Sequence, residues 1–269
     1  MQALRHYLLA VQFFTRIPVT GRLAAWVGFS PAMLRASAAH FPGVGWLAAL
    51  LSAGVYATLH WALAPSPLAP AVAAVFCTIA TVLMTGGFHE DGLADVADGL
   101  GGSADRARAL EIMKDSRIGA YGAIGIAMML GLKAATLATL PLATALPALV
   151  LGHTASRAAA TALMLLLPYA GDAAQAKAKP LAQQVGAAEG VGAALWLGLV
   201  SLGLWGLGVI AAPGLGFALA SATLAAMACA RWLRHRLGGF TGDTLGATQQ
   251  ISELALLLGV SAAGRIGLS

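Results

Sequence analysis

Six stretches of this chain are each about as long as a membrane-crossing helix, which needs roughly 20 mostly apolar residues. They cover residues 41–63, 69–88, 118–140, 145–167, 191–211 and 215–233. None of them contains an aspartate or glutamate, and each contains at most one lysine or arginine. The pattern predicts an all-α fold, a polytopic integral membrane bundle in which these six helices cross the bilayer.

The overall composition favours the same fold class. Of the 269 residues, 59% are hydrophobic and only 10% are charged, whereas soluble domains carry about 25% charged residues. A soluble protein of this size needs a charged surface over its core, and this chain has too few charged side chains to form one. We therefore expect the lipid bilayer to contact most of the surface, and we expect residues 1–269 to form a single membrane-embedded domain.

Two further segments are less typical of a span. Residues 251–268 are apolar but short and carry Glu253 and Arg265, which favours a re-entrant or interfacial segment and makes the number of spans six to seven. Residues 4–17 are too short to cross a bilayer and are expected to lie at its surface. Residues 1–19 lack a long apolar core and a small-residue cleavage site, so no signal peptide is predicted.

Positive charge alternates between the connections of these segments. Residues 64–68, 141–144 and 212–214 carry no charge, whereas the other connections contain lysines and arginines. Because such residues concentrate in cytoplasmic loops, the N-terminus and the charged loops are predicted to face the cytoplasm. One of these loops, 172–180, is polar and is predicted to be mobile. The net charge of +5 follows from this topology, and nucleic acid is not an expected partner.

Seven of the eleven acidic residues lie between Glu90 and Asp115, in one charged connection. Asp91, Asp95 and Asp98 are spaced i, i+4 and i+7, so that a helical turn places them on one face. Three carboxylates that close repel one another unless a cation lies between them. Oxygen ligands at this density suit Mg²⁺, or Mn²⁺, and such ions often share ligands with substrate phosphates. The cytoplasmic acidic loop is therefore a predicted metal site; its alternative is a solvated loop.

Other polar residues lie next to this cluster in the sequence. His89 precedes it and is interpreted either as a base or as a structural hydrogen-bonding residue. Lys114 and Arg117 follow it, where phosphate charge would be neutralised, although both also suit the cytoplasmic anchors of the next span. Asp115 lies between them, where it would orient Arg117 or join the metal site.

A second polar segment, 238–247, follows the sixth apolar stretch and contains four glycines. Glycines suit a loop whose backbone N–H groups face phosphate oxygens. Asp243 and Thr244 in this segment are candidates for the metal or substrate site, and their alternative role is turn formation. On the predicted topology this segment shares the cytoplasmic face with the acidic loop, so the two can meet.

Ionisable residues also occur inside the predicted spans, where they are costly and usually mark a function. Arg157 is one turn from His153 and lies in the cytoplasmic half of its span, where it is a candidate for binding an anionic substrate. Lys133 is interpreted as a side chain that extends to the opposite membrane surface. Cys77 and Cys229 lie in apolar runs and are interpreted as small buried residues.

Several of these segments together resemble the cobalamin synthase family, the adenosylcobinamide-GDP ribazoletransferases. The resemblance is carried by residues 11–18, 41–45, 86–102, 112–122 and 239–247. It covers nearly the whole chain in the same order, and the long acidic segment 86–102 is its most specific part. Residues 190–213 match in hydropathy alone.

The resemblance implies a reaction and a place in the cell. In that reaction α-ribazole, or its 5′-phosphate, attacks the diphosphate of adenosylcobinamide-GDP, a phosphodiester forms and GMP leaves. The family further implies the inner (cytoplasmic) membrane of a bacterium, an active site that faces the cytoplasm, and association with other late enzymes of corrinoid assembly.

The same resemblance implies roles for the residues singled out above. Mg²⁺ would be held by Asp91, Asp95 and Asp98, with Glu90 or Asp243 completing the shell. Phosphate charge would be neutralised by Lys114, Arg117 and Arg157. His89 or one of the carboxylates would accept the proton of the ribazole hydroxyl.

Two other functions match parts of the pattern. A CDP-alcohol phosphotransferase also carries an Asp-Gly pair like Asp91-Gly92 at a helix end, but here Ala94 is followed by Asp95 and the later spacing of that family is absent. In a transporter, an ion or corrinoid pathway would be formed by Asp95, Asp98, His153 and Arg157. However, transport sites usually lie near the bilayer midplane and often accompany internal repeats, whereas the acids here cluster near the membrane surface.

Overall fold

The structure is a computed structural model that describes residues 1–171 and 185–268. The polar loop predicted over 172–180 lies outside these described residues. Within them the chain is almost entirely helical, and its only β-type pairing is a single bridge between Tyr169 and Phe240. The all-α class predicted from the apolar segments is confirmed.

Short helices precede the long ones. They are α1 (Gln2–Phe14), α2 (Gly21–Val27) and α3 (Pro31–Ser37). The following helices are α4 (Phe41–Ala62), α5 (Ala69–Thr85), α6 (Phe88–Gly102), α7 (Arg106–Ile112), α8 (Ala120–Ala138) and α9 (Leu142–Leu166). After the segment that is not described come α10 (Ala187–Gly206), α11 (Ala212–Leu237) and α12 (Gly242–Arg265).

Among the described residues, five helical segments are long and apolar enough to cross a membrane. They are Pro31–Ala62, which contains α3 and α4, and the helices α8, α9, α10 and α11. They coincide with five of the six predicted spans. The remaining predicted span, 69–88, is not one straight helix in the structure, because α5 ends at Thr85. Only α5 and α6 together, as a bent pair, meet the length and hydropathy requirement for a span. The chain is thus a polytopic helical membrane protein with five or six candidate spans, against the six to seven predicted.

The bend between α5 and α6 is 92° and occurs at two consecutive glycines. Gly86 and Gly87 have φ of 70° and 71°, a left-handed conformation that is costly for residues with a side chain. Their amides donate to the carbonyls of Leu83 and Val82, so that α5 is closed by its C-cap and α6 starts at once in a new direction. The acidic segment predicted as a loop is therefore a helix, nearly perpendicular to α5.

The segment predicted to be re-entrant or interfacial is the second half of the continuous helix α12. α12 packs against α6, α8, α9 and α11, and Glu253 in its middle is buried. The interfacial prediction is therefore wrong. The carboxylate is tolerated inside the bundle because Lys133 Nζ lies 2.5 Å from Glu253 Oε1. The predicted extension of Lys133 to the membrane surface is wrong for the same reason.

Buried apolar side chains form two clusters. One contains residues of α4, α5 and each helix from α8 to α12, and the other joins α1, α6 and α7 to the C-terminal ends of α9 and α11. Cys77 and Cys229 are buried and unpaired with each other, as predicted. The second cluster packs the helices that surround the site described next.

Candidate active site

A cavity of about 520 Å³ lies where α1, α6, the end of α9 and the start of α12 meet. Its volume falls in the range of roughly 300–1,000 Å³ that is usual for small-molecule sites. One part of its wall is aromatic and is formed by Phe13, Phe14, Phe41, Phe88, Tyr169 and Phe240. The other part is charged and is formed by Asp91, Asp95, Lys114, Asp115, Arg157 and Asp243.

A close approach between two helices assembles the acidic part of this wall. A Cβ placed on Gly92 of α6 would lie 2.6 Å from the carbonyl oxygen of Asp243, so only glycine lets α6 pack directly on the first turn of α12. Asp91 and Asp95 thereby line the same cavity as Asp243. The predicted meeting of the two polar segments is confirmed.

The start of α12 is fixed by a capping box. Thr244 N donates to Thr241 Oγ1 at 3.3 Å, and Thr241 N donates to Thr244 Oγ1 at 2.8 Å. Thr244 is fully buried and does not line the cavity. The structure therefore gives Thr244 a capping role instead of contact with the cavity. The predicted glycine-rich loop is helical from Gly242 onward, with Asp243 in the first turn.

Asp98 is on the same helix as Asp91 and Asp95 but not in the cavity wall. Its two carboxylate oxygens accept hydrogen bonds from the backbone amides of Gly119 at 2.7 Å and Gly122 at 2.8 Å. These amides belong to the beginning of α8, where four N–H groups lack partners within the helix. Asp98 thus caps α8 from outside. It lies on the same helical face as Asp91, but about 10 Å further along the axis, beside the start of α8 and outside the cavity wall.

The connection after α7 contributes Lys114 and Asp115 to the cavity, whereas Arg117 lies outside it. Arg117 Nη2 is 2.6 Å from Asp115 Oδ2, and the Arg117 side chain is 87% exposed. Hydrogen bonds from this guanidinium lower the pKa of Asp115 to about 2. The predicted contact of Asp115 with Arg117 is confirmed, and this contact links Arg117 to the cavity wall through Asp115.

His89 is buried and belongs to the aromatic wall. Its ring stacks on Phe14 with centroids 6.3 Å apart and meets Phe88 edge-on at 5.6 Å. Phe14 in turn contacts Phe41 at 4.1 Å. Sequence analysis missed this wall because the N-terminal helix was expected only to rest on the membrane surface. The paired aromatic residues Phe13 and Phe14 at the end of that helix are the feature that indicates it.

The inner end of the cavity is formed by Arg157, His89 and Gln249, which also border a small polar space of about 10 Å³ below it. Arg157 is only 5% exposed. Its Nη1 donates to the carbonyl of His153 at 2.9 Å, and its Nε lacks a hydrogen-bond partner among the described residues. Arg157 is therefore where the sequence predicted it, within reach of an anion in the cavity.

The donors at the acidic end fit a divalent cation that binds together with phosphate. Asp91, Asp95 and Asp243 present carboxylates to one cavity. Within the described part of the chain, no three His, Cys, Asp or Glu side chains are arranged as a ready-made metal cage. A Mg²⁺ site does not require such a cluster, because this ion commonly binds one or two carboxylates and completes its coordination shell with water and substrate phosphates. Glu90 does not join this set, because it lines the small space below and accepts a hydrogen bond from Gln250 at 2.9 Å.

Fold and site together define an integral membrane protein whose cavity suits a ligand that is both anionic and aromatic. The family described as cobalamin-5-phosphate synthase matches residues 6–261 of the chain. The chain therefore belongs to the cobalamin-5-phosphate synthase family, and it is an enzyme.

Individual relatives agree with this family. An adenosylcobinamide-GDP ribazoletransferase of Polaromonas naphthalenivorans is 50% identical over 280 residues, which cover 97% of this chain and 99% of the relative. A protein of the same name from Leptothrix cholodnii is 53% identical and covers 95% of this chain and 94% of its own length. Another from Shewanella piezotolerans is 42% identical, with 96% and 95% covered. No solved structure matches the chain.

Proposed function

We propose that this chain is a magnesium-dependent adenosylcobinamide-GDP ribazoletransferase, which makes cobalamin or its 5′-phosphate. The observation that carries the proposal is the convergence of Asp91, Asp95, Asp243 and Lys114 on one cavity in a chain of this family. Carboxylates for a divalent cation beside a lysine are the groups that transfer at a diphosphate requires.

The proposed reaction is a displacement at phosphorus. A hydroxyl oxygen of α-ribazole, or of its 5′-phosphate, attacks the diphosphate phosphorus that is bonded to the corrinoid side. A new P–O bond forms, the bond from that phosphorus to the bridging oxygen breaks, and its electron pair leaves with GMP. The hydroxyl proton passes to a base. Such reactions depend mostly on positioning and on neutralising charge.

The residues of the cavity divide this work. Asp91, Asp95 and Asp243 would hold Mg²⁺, which supplies charge neutralisation at the diphosphate when bound. Lys114 lies at the exposed rim, where it binds phosphate oxygens and neutralises the departing GMP. The proton acceptor is His89, in the aromatic wall, or one of the cavity carboxylates.

We also propose that the cavity faces the cytoplasm from the inner membrane of a bacterium. Its rim is built from the connection that contains Lys114, and connections rich in lysine and arginine usually stay on the cytoplasmic side. Such a location would let the enzyme receive its substrates from the other late enzymes of corrinoid assembly.

A turnover assay on detergent-purified protein tests the proposal. Adenosylcobinamide-GDP is supplied with α-ribazole 5′-phosphate, with and without Mg²⁺, and both GMP and the corrinoid product are measured. Mg²⁺-dependent release of GMP with formation of a cobalamin product supports the proposal. Intact substrates in the presence of folded protein would reject it, and CDP-alcohol substrates and then corrinoid transport in proteoliposomes would be tried next.

A further inference from the structure

Below the cavity lies a buried ion pair that the proposed reaction does not use directly. Lys133 of α8 and Glu253 of α12 are 3% and 2% exposed, and Lys133 Nζ lies 2.5 Å from Glu253 Oε1. The same carboxylate oxygen is 3.3 Å from His153 Nδ1 of α9. Charges buried in a membrane protein are costly and usually serve a function. The pair and His153 together connect three helices beneath the inner end of the cavity.

From Glu253, contacts reach both sides of Arg157. On one side, Gln249 Nε2 donates to Glu253 Oε2 at 2.6 Å and to Ser156 Oγ at 2.9 Å, and Ser156 directly precedes Arg157. On the other side, His153, whose ring lies against Glu253, accepts a hydrogen bond from Arg157 Nη1 through its carbonyl at 2.9 Å. Glu253 therefore holds the helical turn that carries Arg157 at two points.

Arg157 is the cation of this cluster that has no carboxylate of its own. Within the described part of the chain, no Asp or Glu lies within ion-pair distance of Arg157, because Glu253 pairs with Lys133. Its Nε is buried without a partner, and its side chain lines the cavity. A guanidinium held in this way matches the oxygens of a phosphate, which it can contact through two parallel N–H donors.

The two ends of the cavity select different phosphates. The acidic end, lined by Asp91, Asp95 and Asp243, favours a diphosphate that enters together with Mg²⁺ over a phosphate monoester without a metal. At the inner end the monoester meets Arg157 without a metal. His89 borders this end and continues into the aromatic wall, whose rings suit a flat aromatic base. A ligand with an aromatic base and a monoester phosphate therefore matches this half of the cavity.

We propose that Arg157 binds the 5′-phosphate of α-ribazole 5′-phosphate, and that Glu253 is a positioning residue that fixes the Arg157 guanidinium through Gln249 and His153. The inference rests on the proposed function and deepens it, since it assigns the group that recognises the phosphate of the ribazole substrate and the residue that positions this group.

The first test compares the two ribazoles as substrates of Arg157→Gln. The wild-type enzyme is expected to have a higher kcat/KM for α-ribazole 5′-phosphate than for α-ribazole. In Arg157→Gln this ratio should fall on the order of 10²-fold, the effect of losing hydrogen bonds between charged groups. An unchanged ratio overturns the proposal. A selective rise in the KM for adenosylcobinamide-GDP also overturns it, because Arg157 would then bind the diphosphate.

The second test separates positioning from a merely structural role. Glu253→Gln should lower the same ratio by about tenfold, the consequence of one weakened charged contact, whereas a structural defect lowers kcat/KM for both ribazoles equally. If Glu253→Gln leaves Lys133 unpaired and fails to fold, the double variant Lys133→Met/Glu253→Leu removes both charges together, which proteins tolerate far better. It should show the same fall in the ratio. Arg265→Gln, at the exposed end of α12, is the matched control and should keep the wild-type ratio.

The two proposals can fail separately. Absence of GMP release by the wild-type enzyme would reject the proposed function. Wild-type turnover combined with an unchanged ribazole ratio in both Arg157→Gln and the Glu253 variants would reject only the phosphate assignment.

Discussion

Gly92 of α6 packs against the backbone of Asp243 of α12 so closely that a Cβ on Gly92 would lie 2.6 Å from the Asp243 carbonyl oxygen and 2.9 Å from its Cα. The contact places α6, which begins at the sharp bend after α5, against the capped first turn of α12. Asp91 and Asp95 share a cavity with Asp243 because of it. The acidic end of the site thus depends on a residue that has no side chain.

Gly92→Ala should therefore impair the enzyme without removing any functional group. The added methyl meets backbone, which cannot rotate away, so α6 and α12 must separate. We expect a stability loss of about 1–3 kcal/mol from overpacking and a fall in turnover of at least about tenfold from the displaced carboxylates. Thermal unfolding in detergent and GMP release measure the two effects. Gly131→Ala is the control, because nothing lies within 4 Å of a Cβ there, and equal losses in both variants would contradict the proposed role of Gly92.

Asp95→Asn should reduce kcat on the order of 10²-fold, the usual effect of losing a charge that stabilises the transition state, and should raise the Mg²⁺ concentration needed for half-maximal activity. The reason is that Asp95 lines the cavity together with Asp91 and Asp243. A titration of GMP release against Mg²⁺ measures both changes. Wild-type Mg²⁺ dependence in this variant would remove Asp95 from the proposed metal site.

Asp98→Ala should behave differently from Asp95→Asn, although both residues belong to the same acidic helix. It removes the external cap of α8, where Gly119 and Gly122 donate to the carboxylate. Loss of such a cap costs about 1 kcal/mol, which thermal unfolding detects as a lower midpoint. The Mg²⁺ concentration for half-maximal activity is expected to stay at the wild-type value, and a large increase would show that Asp98 contacts the metal after all.

Lys114→Met and Arg117→Met form a matched pair on one connection. Lys114 lines the cavity, so its loss should reduce turnover on the order of 10²-fold. Arg117 is exposed, and within the described part of the chain its ion pair is with Asp115, so its loss should reduce turnover less than about fivefold, as for other exposed ion pairs. Steady-state release of GMP compares them, and a larger loss in Arg117→Met would place Arg117 in contact with substrate.

The pH profile of Arg117→Met gives a further comparison. Without the guanidinium the pKa of Asp115 should rise from about 2 towards its ordinary value of 3.8. A carboxyl group whose pKa is lowered in the folded protein stabilises the folded state at pH values above its ordinary pKa of 3.8. This contribution to stability is lost as the pH falls through about 2. Above pH 5 the carboxyl is ionised in both enzymes, by either of these values. The pH dependence of turnover between pH 5 and 9 should therefore be the same in both.

Much of the fold follows from local pattern. Bilayer thickness sets the length of an apolar helix, which is why five predicted spans coincide with helices of the structure. The i, i+4 relation of Asp91 and Asp95 depends only on the helical repeat, so their shared face was predictable before the cavity was known. Arg157 was recognisable as a candidate functional residue because a charge inside an apolar span is costly and usually marks a function, and the structure places it in the cavity wall.

Contacts between helices were decided only by the tertiary structure. Whether Asp98 joins its neighbours or caps α8 depends on where Gly119 lies. Whether Lys133 extends to the membrane surface or turns inward depends on a carboxylate that is 120 residues away in the sequence. Length, hydropathy and helical periodicity are properties of neighbouring residues, and a sequence therefore displays them directly. The partner of a buried polar group is fixed by how helices pack, and this chain shows that choice only in its folded form.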